Sequence, residues 1–221
     1  MAKTALVTGA NRGIGLALAR RLKDSGRDVI AACRKSSREL DALGVRVEAD
    51  VDITSDAAVA GLARRLQGVQ LDELVCNAGA LRADGLDDVK LDDIRELMEV
   101  NALGALRVVK ALHGNVRRGG KIALMTSRMG SIGDNGSGGY YAYRMSKAAL
   151  NAAGMSMARD LAPAGIAVAI LHPGYVRTEM TAGSGNVDPA DAAKQLVERI
   201  DQLTLDASGT FWHANGQVLP W

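Results

Sequence analysis

Glycines at positions 9, 13 and 15 stand between a short apolar run, Ala5-Leu6-Val7, and a segment from Leu16 to Leu22 whose apolar residues recur at helical spacing. A strand that turns this sharply into a helix leaves few options for the next element. To rejoin its sheet the chain must make a crossover, so the next strand lies parallel to the first and the crossover is right-handed. The rest of the chain repeats the alternation. Apolar runs expected as strands fall at 3–8, 28–33, 45–49, 71–76, 120–126, 165–171 and 211–218, and helical stretches fill 13–25, 55–67, 91–112, 141–161 and 189–202. The pattern predicts an α/β fold, a doubly wound parallel sheet of about seven strands with helices on both faces. A chain of 221 residues is large enough for one substantial core. It shows no internal repeat, low-complexity tract or second domain, so residues 1–221 read as a single domain.

The turn itself, Thr8-Gly9-Ala10-Asn11-Arg12-Gly13-Ile14-Gly15, suits a dinucleotide. Glycines let the backbone approach a pyrophosphate closely, and the helix start offers unpaired N–H groups and a positive dipole end. Gly9, Asn11, Arg12, Gly13, Ile14 and Gly15 are candidate contacts, with the spacing Gly-x-x-x-Gly-x-Gly in place of the commoner Gly-x-Gly-x-x-Gly. A site selective for NAD places a carboxylate about 20 residues further on, where it accepts from the ribose 2′-OH. Here that region reads Cys33-Arg34-Lys35-Ser36-Ser37, with no acid before Glu39. Arg34 suits a 2′-phosphate instead, and Arg12 can reach the same phosphate from the glycine turn. NADP(H) is therefore favoured over NAD(H), against the plainer alternative that both arginines are solvated surface charges.

Later strands end in groups that carry chemistry. Asn77-Ala78-Gly79 follows the strand 71–76, and small residues there fit the crevice outside the strands' carboxyl ends. Ser127 closes the strand 120–126, with Ser131 a competing hydroxyl in the glycine-containing loop beyond. Tyr143 and Lys147 are four apart in a helical segment and so share a face. A free phenol titrates near pH ~10; an adjacent ammonium and an oxidised nicotinamide both favour the phenolate, which would make Tyr143 a general acid for carbonyl reduction and a base for the reverse. Tyr140 has Arg144 at the same offset, but a guanidinium cannot give up a proton and so cannot join a relay.

Taken together, these residues resemble the short-chain dehydrogenases/reductases from Thr8 through Pro173-Gly174-Tyr175-Val176-Arg177-Thr178 to the C-terminus. Ser-Arg-Met-Gly-Ser-Ile at Ser127 to Ile132, Gly-Gly-Tyr-Tyr-Ala-Tyr-Arg-Met-Ser-Lys at Gly138 to Lys147, and the closing Pro220-Trp221 are most similar to its C-factor and Sniffer-type carbonyl reductases. The resemblance implies a Rossmann-type sheet in the order 3-2-1-4-5-6-7. It also implies that Ser127 hydrogen-bonds the substrate oxygen, Tyr143 gives it a proton, and Lys147 holds the nicotinamide ribose while tuning Tyr143. Asn101 matches the family's helix asparagine, which holds a water linking Lys147 to solvent. Asp50 and Val51 match the pair at the adenine, Asn77, Ala78 and Gly79 back the cofactor, and Pro173, Gly174, Val176 and Thr178 lie along the nicotinamide side. Ser127 to Tyr143 spans more positions than is usual in the family. The extra residues fall in Gly133-Asp134-Asn135-Gly136-Ser137, turn formers that can loop out. In this family the helices corresponding to 91–112 and 141–161 also pair between subunits, implying a homodimer or homotetramer.

The remaining features mostly exclude. A formal charge of +2 with no dense run of Lys or Arg argues against a nucleic-acid reader. No apolar run approaches ~18 residues, and Met1 leads almost directly into the first strand, so no membrane segment or signal peptide is expected and the location is read as cytoplasmic. Cys33 and Cys76 end strands that the family order separates by one, about 10 Å apart at ~4.8 Å per strand step. That is too far for a disulfide, which needs less than about 7 Å, so both are expected to be free thiols. His113, His172 and His213 have no metal-ligand spacing and no metal is expected. The segment from Tyr175 to Asp188, with Gly183, Ser184, Gly185 and Asn186, is read as a short flexible flap over a permissive site. The aromatic residues Phe211, Trp212 and Trp221 line either the pocket, an interface or the core. The expected reaction interconverts a small-molecule carbonyl and an alcohol; the alternatives are an NADPH-binding signalling or redox-sensing protein and a nucleotide-sugar epimerase or dehydratase. The last is disfavoured by the short stretch after Thr178.

Overall fold

The computed structural model describes residues 2–221. Strands β1 (Thr4–Thr8), β2 (Asp28–Ala32), β3 (Arg46–Glu48), β4 (Leu71–Cys76), β5 (Val116–Met125), β6 (Ala167–His172) and β7 (Phe211–His213) form a parallel sheet in the order β3-β2-β1-β4-β5-β6-β7. Helices α1 (Gly13–Asp24), α2 (Arg38–Asp41), α3 (Asp56–Arg65), α4 (Leu91–Met98), α5 (Gly104–Leu112), α6 (Tyr141–Leu161) and α7 (Pro189–Gln202) cover both faces. Strand side chains alternate between those faces. Leu6 of β1 joins a core with Leu62 of α3, Val108 of α5 and Leu150 of α6, whereas its neighbours Ala5 and Val7 pack with Leu18 of α1 and Leu196 of α7. Cys76 and Cys33 fall into these opposite cores, and both are free thiols.

Three elements differ from the sequence expectation. The helix anticipated over 91–112 is interrupted by a π-helical turn, Glu99–Leu103, between α4 and α5. The extra residue lets Asn101 turn inward, while Gly104 seats against Ile53 so closely that a Cβ would lie 2.7 Å from Ile53 Cδ1. The last strand stops at His213 because the chain reverses through Gly216, leaving only an antiparallel bridge from Trp212 to Val218. Helix α2, a single turn capped by the Ser37 hydroxyl on Leu40 N–H, is too short to leave a periodic pattern.

β1 and β4 are neighbours although β2 and β3 precede β4 in the chain. The sheet therefore reverses its winding beside β1, and a crevice opens at the carboxyl ends there. The same edge carries the residues after β5 and β6.

Candidate active site

The glycine turn is folded around close backbone contacts that no side chain could share. Gly9 and Gly13 are left-handed, with φ of 65° and 54°. A Cβ on Gly9 would meet Ala78 Cα at 2.9 Å, and one on Gly15 would lie 2.1 Å from the Gly9 carbonyl oxygen and 2.6 Å from Asn77 Nδ2. Asn77 holds this arrangement: its Nδ2 donates to the carbonyls of Thr8 (3.1 Å) and Gly9 (3.4 Å), and its own N–H donates to Thr8 Oγ1 at 3.1 Å. Its side chain is thus committed to the turn rather than aimed into the crevice. Helix α1 has no side-chain cap and no acid in its first turn, so its leading N–H groups are left for an anion.

The basic residues expected at a 2′-phosphate are split. Arg34 is exposed and forms no ion pair with any described residue. Arg12 is also exposed, but its Nη1 lies 2.6 Å from Glu179 Oε2, at the start of the flap. Asp50 is exposed and left-handed with φ 58°, its N–H bonded to the Arg34 carbonyl, while Val51 sits in the core at 3% exposure. An adenine there could meet the Val51 backbone but not its side chain.

Four elements converge on the candidate proton-transfer groups. Beyond β5, Thr126 Oγ1 donates to Asn151 Oδ1 of α6 at 2.6 Å, and Gly130 approaches α6 so tightly that a Cβ would lie 2.8 Å from the Lys147 carbonyl carbon. That docking delivers Ser127, whose hydroxyl lies close enough to the Tyr143 phenol to lower its pKa and accepts from Met129 N–H at 3.2 Å. Ser131 does not compete: its hydroxyl donates to the Trp221 carbonyl (3.1 Å) and accepts from Asp134 N–H (3.0 Å). Lys147 is 4% exposed, with Nζ donating to the Met125 carbonyl at 2.8 Å and standing 5.8 Å from the centre of the Tyr143 ring. Gly79 completes the wall, since a Cβ on it would meet Asn101 Oδ1 at 3.1 Å and Lys147 Nζ at 3.5 Å. Asn101 bonds both backbone groups of Ala80 and donates to Ser146 Oγ (2.9 Å), which donates to the Tyr143 carbonyl (2.8 Å).

The electrostatics correct one expectation. Burial pushes the Tyr143 phenol above its ordinary value; the Ser127 hydroxyl pulls the other way, but Lys147 does not bring it down. The reason is that Lys147 points to Met125, and burial depresses its own pKa to about 8. The side chain of Arg144 is committed to the loop before the helix. Tyr140 is left-handed, outside the helix, and the guanidinium donates to the Gly139 carbonyl (3.0 Å) and Ser137 hydroxyl (2.9 Å) of the looped-out segment.

Around this centre, Pro173 and Gly174 follow β6, and Gly174 backs onto His213, to which a Cβ would come within 3.8 Å. His172 and His213 pair edge to face at 4.9 Å; burial and the neighbouring His213 push His172 down to about 3, leaving it neutral with Nδ1 unpartnered. Hydrogen bonds and an ion pair join the two ends of the flap. Arg177 N–H bonds Val187 carbonyl (2.9 Å), Asn186 N–H bonds Tyr175 carbonyl (2.8 Å), Arg177 pairs with Asp188 (2.8 Å), and Thr178 rests on Gly13, to which an added Cβ would bring Thr178 Cγ2 to 3.4 Å. Val176 is buried beneath it. Trp221 stacks on Phe211 with ring centres 5.4 Å apart and remains half exposed. Asp84, Ser146 and Asn151 carry no signal in the sequence: each is an ordinary polar residue until the fold gives it a partner.

A parallel sheet in this order, with a glycine turn at one strand end and a Ser, Tyr and Lys group across the crevice, defines a nicotinamide-dependent oxidoreductase. Residues 3–188 match the model of the short chain dehydrogenase family, and the chain belongs to that family. A curated relative, 1-hydroxy-2-glutathionyl-2-methyl-3-butene dehydrogenase of Rhodococcus sp. (strain AD45), is 43% identical and covers 99% of each chain. Among solved structures, the carbonyl reductase Sniffer of D. melanogaster superposes with a TM-score of 0.92 at 28% identity, covering 100% of both chains. An NADPH-bound carbonyl reductase from chicken fatty liver gives 0.87 at 28% identity, covering 100% of this chain and 99% of that one. No helix among the described residues is long and apolar enough to cross a membrane.

Proposed function

We propose that the chain acts as one NAD(P)-binding domain and is an NADPH-dependent reductase that interconverts a small carbonyl and its alcohol, with Tyr143 as the proton donor. The observation that carries this reading is the meeting of Ser127, Tyr143 and Lys147 at the end of the sheet where the glycine turn lies. The reduced nicotinamide, when bound, supplies the hydride. The turn fits its pyrophosphate: a Cβ at Gly9 or Gly15 would close the cradle, and the first N–H groups of α1 are free of acids. Gly9, Asn11, Arg12, Gly13, Ile14 and Gly15 hold the phosphates, with Arg34 beside the ribose and Asp50 and Val51 at the adenine. Asn77 and Ala78 brace the turn, and Gly79, Pro173, Gly174, Val176 and Thr178 border the nicotinamide side.

Ser127 holds the substrate oxygen beside the phenol. As negative charge gathers on that oxygen, Tyr143, protonated at neutral pH, donates its proton. Lys147, whose pKa burial lowers to about 8, would hold the cofactor ribose and resupply a proton to Tyr143, and Asn101 fixes the helix turn along which solvent reaches it. The Arg12 and Arg34 charges support NADPH over NADH. The name of the Rhodococcus relative supports adding a glutathionyl alcohol to the substrates tried. Exposed Leu103 and Leu106 on the α5 side and Met145 on α6 support association into a homodimer or homotetramer, and the protein is read as cytoplasmic.

The test offers NADPH or NADH with aldehydes, ketones and quinones, and NADP+ with the glutathionyl alcohol. Turnover that Tyr143→Phe abolishes, with NADPH preferred, is expected. No turnover above the Tyr143→Phe protein would favour the signalling role, and preference for NADH would show that the arginines do not meet the cofactor.

A further inference from the structure

Helix α6 carries Tyr143 and Lys147, yet its own sequence supplies no cap. The residue before it, Tyr140, makes no side-chain bond to the helix, and it follows Gly138 and Gly139 in an unbroken left-handed run with φ of 65°, 62° and 53°. Two glycines adopt that conformation freely; a tyrosine does so only under constraint. The constraint comes from Asp84, in the segment between β4 and α4. Its backbone carbonyl accepts from Tyr140 N–H at 2.7 Å, Oδ1 accepts from Tyr141 N–H at 2.5 Å, and Oδ2 accepts from Ala142 N–H at 3.3 Å. On the other side Arg144 holds the carbonyl of Gly139 and the hydroxyl of Ser137.

We propose that Asp84 is a positioning residue for proton transfer: it clamps the left-handed turn at Tyr140 and thereby fixes the axial position of the helix that presents Tyr143 and Lys147. The proposal rests on the reductase reading for its catalytic meaning, but the clamp is a property of the fold. Asp84 is borrowed from the far side of the crevice because a helix entered through a left-handed residue has no preceding Ser, Thr or Asp in position to cap it. Its segment begins at Asn77-Ala78-Gly79-Ala80, which braces the glycine turn and bonds Asn101. One stretch of chain therefore registers the catalytic helix against the cofactor wall. A misplacement of Tyr143 by less than its own hydrogen-bond length is enough to slow the reaction while leaving the phosphate cradle intact.

The experiment compares wild type with Asp84→Ala, Asp84→Asn, Tyr140→Gly, the Asp84→Ala/Tyr140→Gly pair and Tyr143→Phe, using NADPH with 4-nitrobenzaldehyde or the best carbonyl of the panel. Amide hydrogen exchange at Tyr141 and Ala142, kcat, KM and NADPH Kd by fluorescence are read for each. Asp84→Ala is expected to speed exchange at both amides and to lower kcat about tenfold or more, with NADPH Kd within about twofold of wild type. Asp84→Asn, which keeps an oxygen acceptor, recovers most of kcat and supplies both readouts if the alanine protein does not fold. Tyr140→Gly, which needs no clamp to stay left-handed, restores part of the kcat lost in Asp84→Ala. Wild-type exchange and kcat in Asp84→Ala, a loss of NADPH affinity equal to the loss of kcat, or no restoration by Tyr140→Gly would overturn the proposal. If Tyr143→Phe keeps wild-type turnover, the proton-transfer reading falls and Asp84 has no pair to position. If Tyr143→Phe is inactive while Asp84→Ala is not impaired, only the positioning role falls.

Discussion

Replacing Lys147 by methionine is expected to abolish turnover and, at neutral pH, to make the protein more stable. The amine is 4% exposed, and burial depresses its pKa from 10.5 to about 8. At about 1.4 kcal/mol per pH unit, keeping the ammonium charged in the fold costs roughly 3 kcal/mol. The bond from Nζ to the Met125 carbonyl is already part of that balance, because the shift is the net difference between the charged and neutral amine in the fold. Methionine keeps much of the aliphatic volume without the charge. The sign with pH comes from a folded pKa below the unfolded one. Between about pH 8 and 10.5 the unfolded chain holds a proton that the folded chain lacks, so wild-type stability rises with pH through that window, and below it the full cost is present. The variant has no such group. Urea unfolding of both proteins from pH 6.5 to 10, with m-values compared, should show the variant ahead by about 3 kcal/mol at pH 7 and the gap closing toward pH 10. A gap that stays constant across the range, or a variant less stable at every pH, would refute the claim that Lys147 is held at an energetic cost for function.

Single contacts elsewhere in the site carry expectations of their own. Glu179→Gln releases Arg12 from its exposed ion pair and should tighten NADPH relative to NADH by about two- to fivefold, the range typical of such pairs, in parallel fluorescence titrations. Gly15→Ala places a methyl 2.1 Å from the Gly9 carbonyl oxygen, so NADPH binding should be lost and the urea midpoint lowered; a variant that binds NADPH normally would show that the turn is not the cradle. Ser127→Ala should lower kcat by about 10²–10³-fold, whereas Ser131→Ala should leave kcat near wild type and cost about 1 kcal/mol of stability through its lost bond to the Trp221 carbonyl.

The glycine turn and the stacking of Tyr143 with Lys147 are legible in the sequence because each depends on neighbours along the chain, whereas the strand order and its crevice come only from the family resemblance. A turn needs glycines at set positions, and a helix stacks residues four apart wherever it lies. The looped-out residues before Tyr143 are legible for the same reason: Gly133 to Ser137 are turn formers, and the structure spends them on a loop held by Arg144. The π-helical turn at Asn101 is not, because periodicity over 91–112 is nearly unchanged by one extra residue; only Ile53 against Gly104, distant in sequence, betrays it. In the same way, the hydrogen bonds that join the two ends of the flap leave no trace in its composition.

Spacing cannot supply the partner across the crevice. Arg12 meets Glu179 at a separation of 167 residues, Ser131 meets Trp221 at 90, and Asp84 meets Tyr141 at 57. Each contact settles a geometric point that the motifs leave open: which way a basic side chain points, which serine hydroxyl is already bonded, and what caps α6. The Tyr143 phenol obeys the same rule. Residues four apart on a helix imply an ammonium near a phenol and hence a lowered pKa, but the direction actually depends on where the amine's other contacts send it. With Nζ drawn to the Met125 carbonyl, burial is the larger influence on the phenol and holds its pKa up.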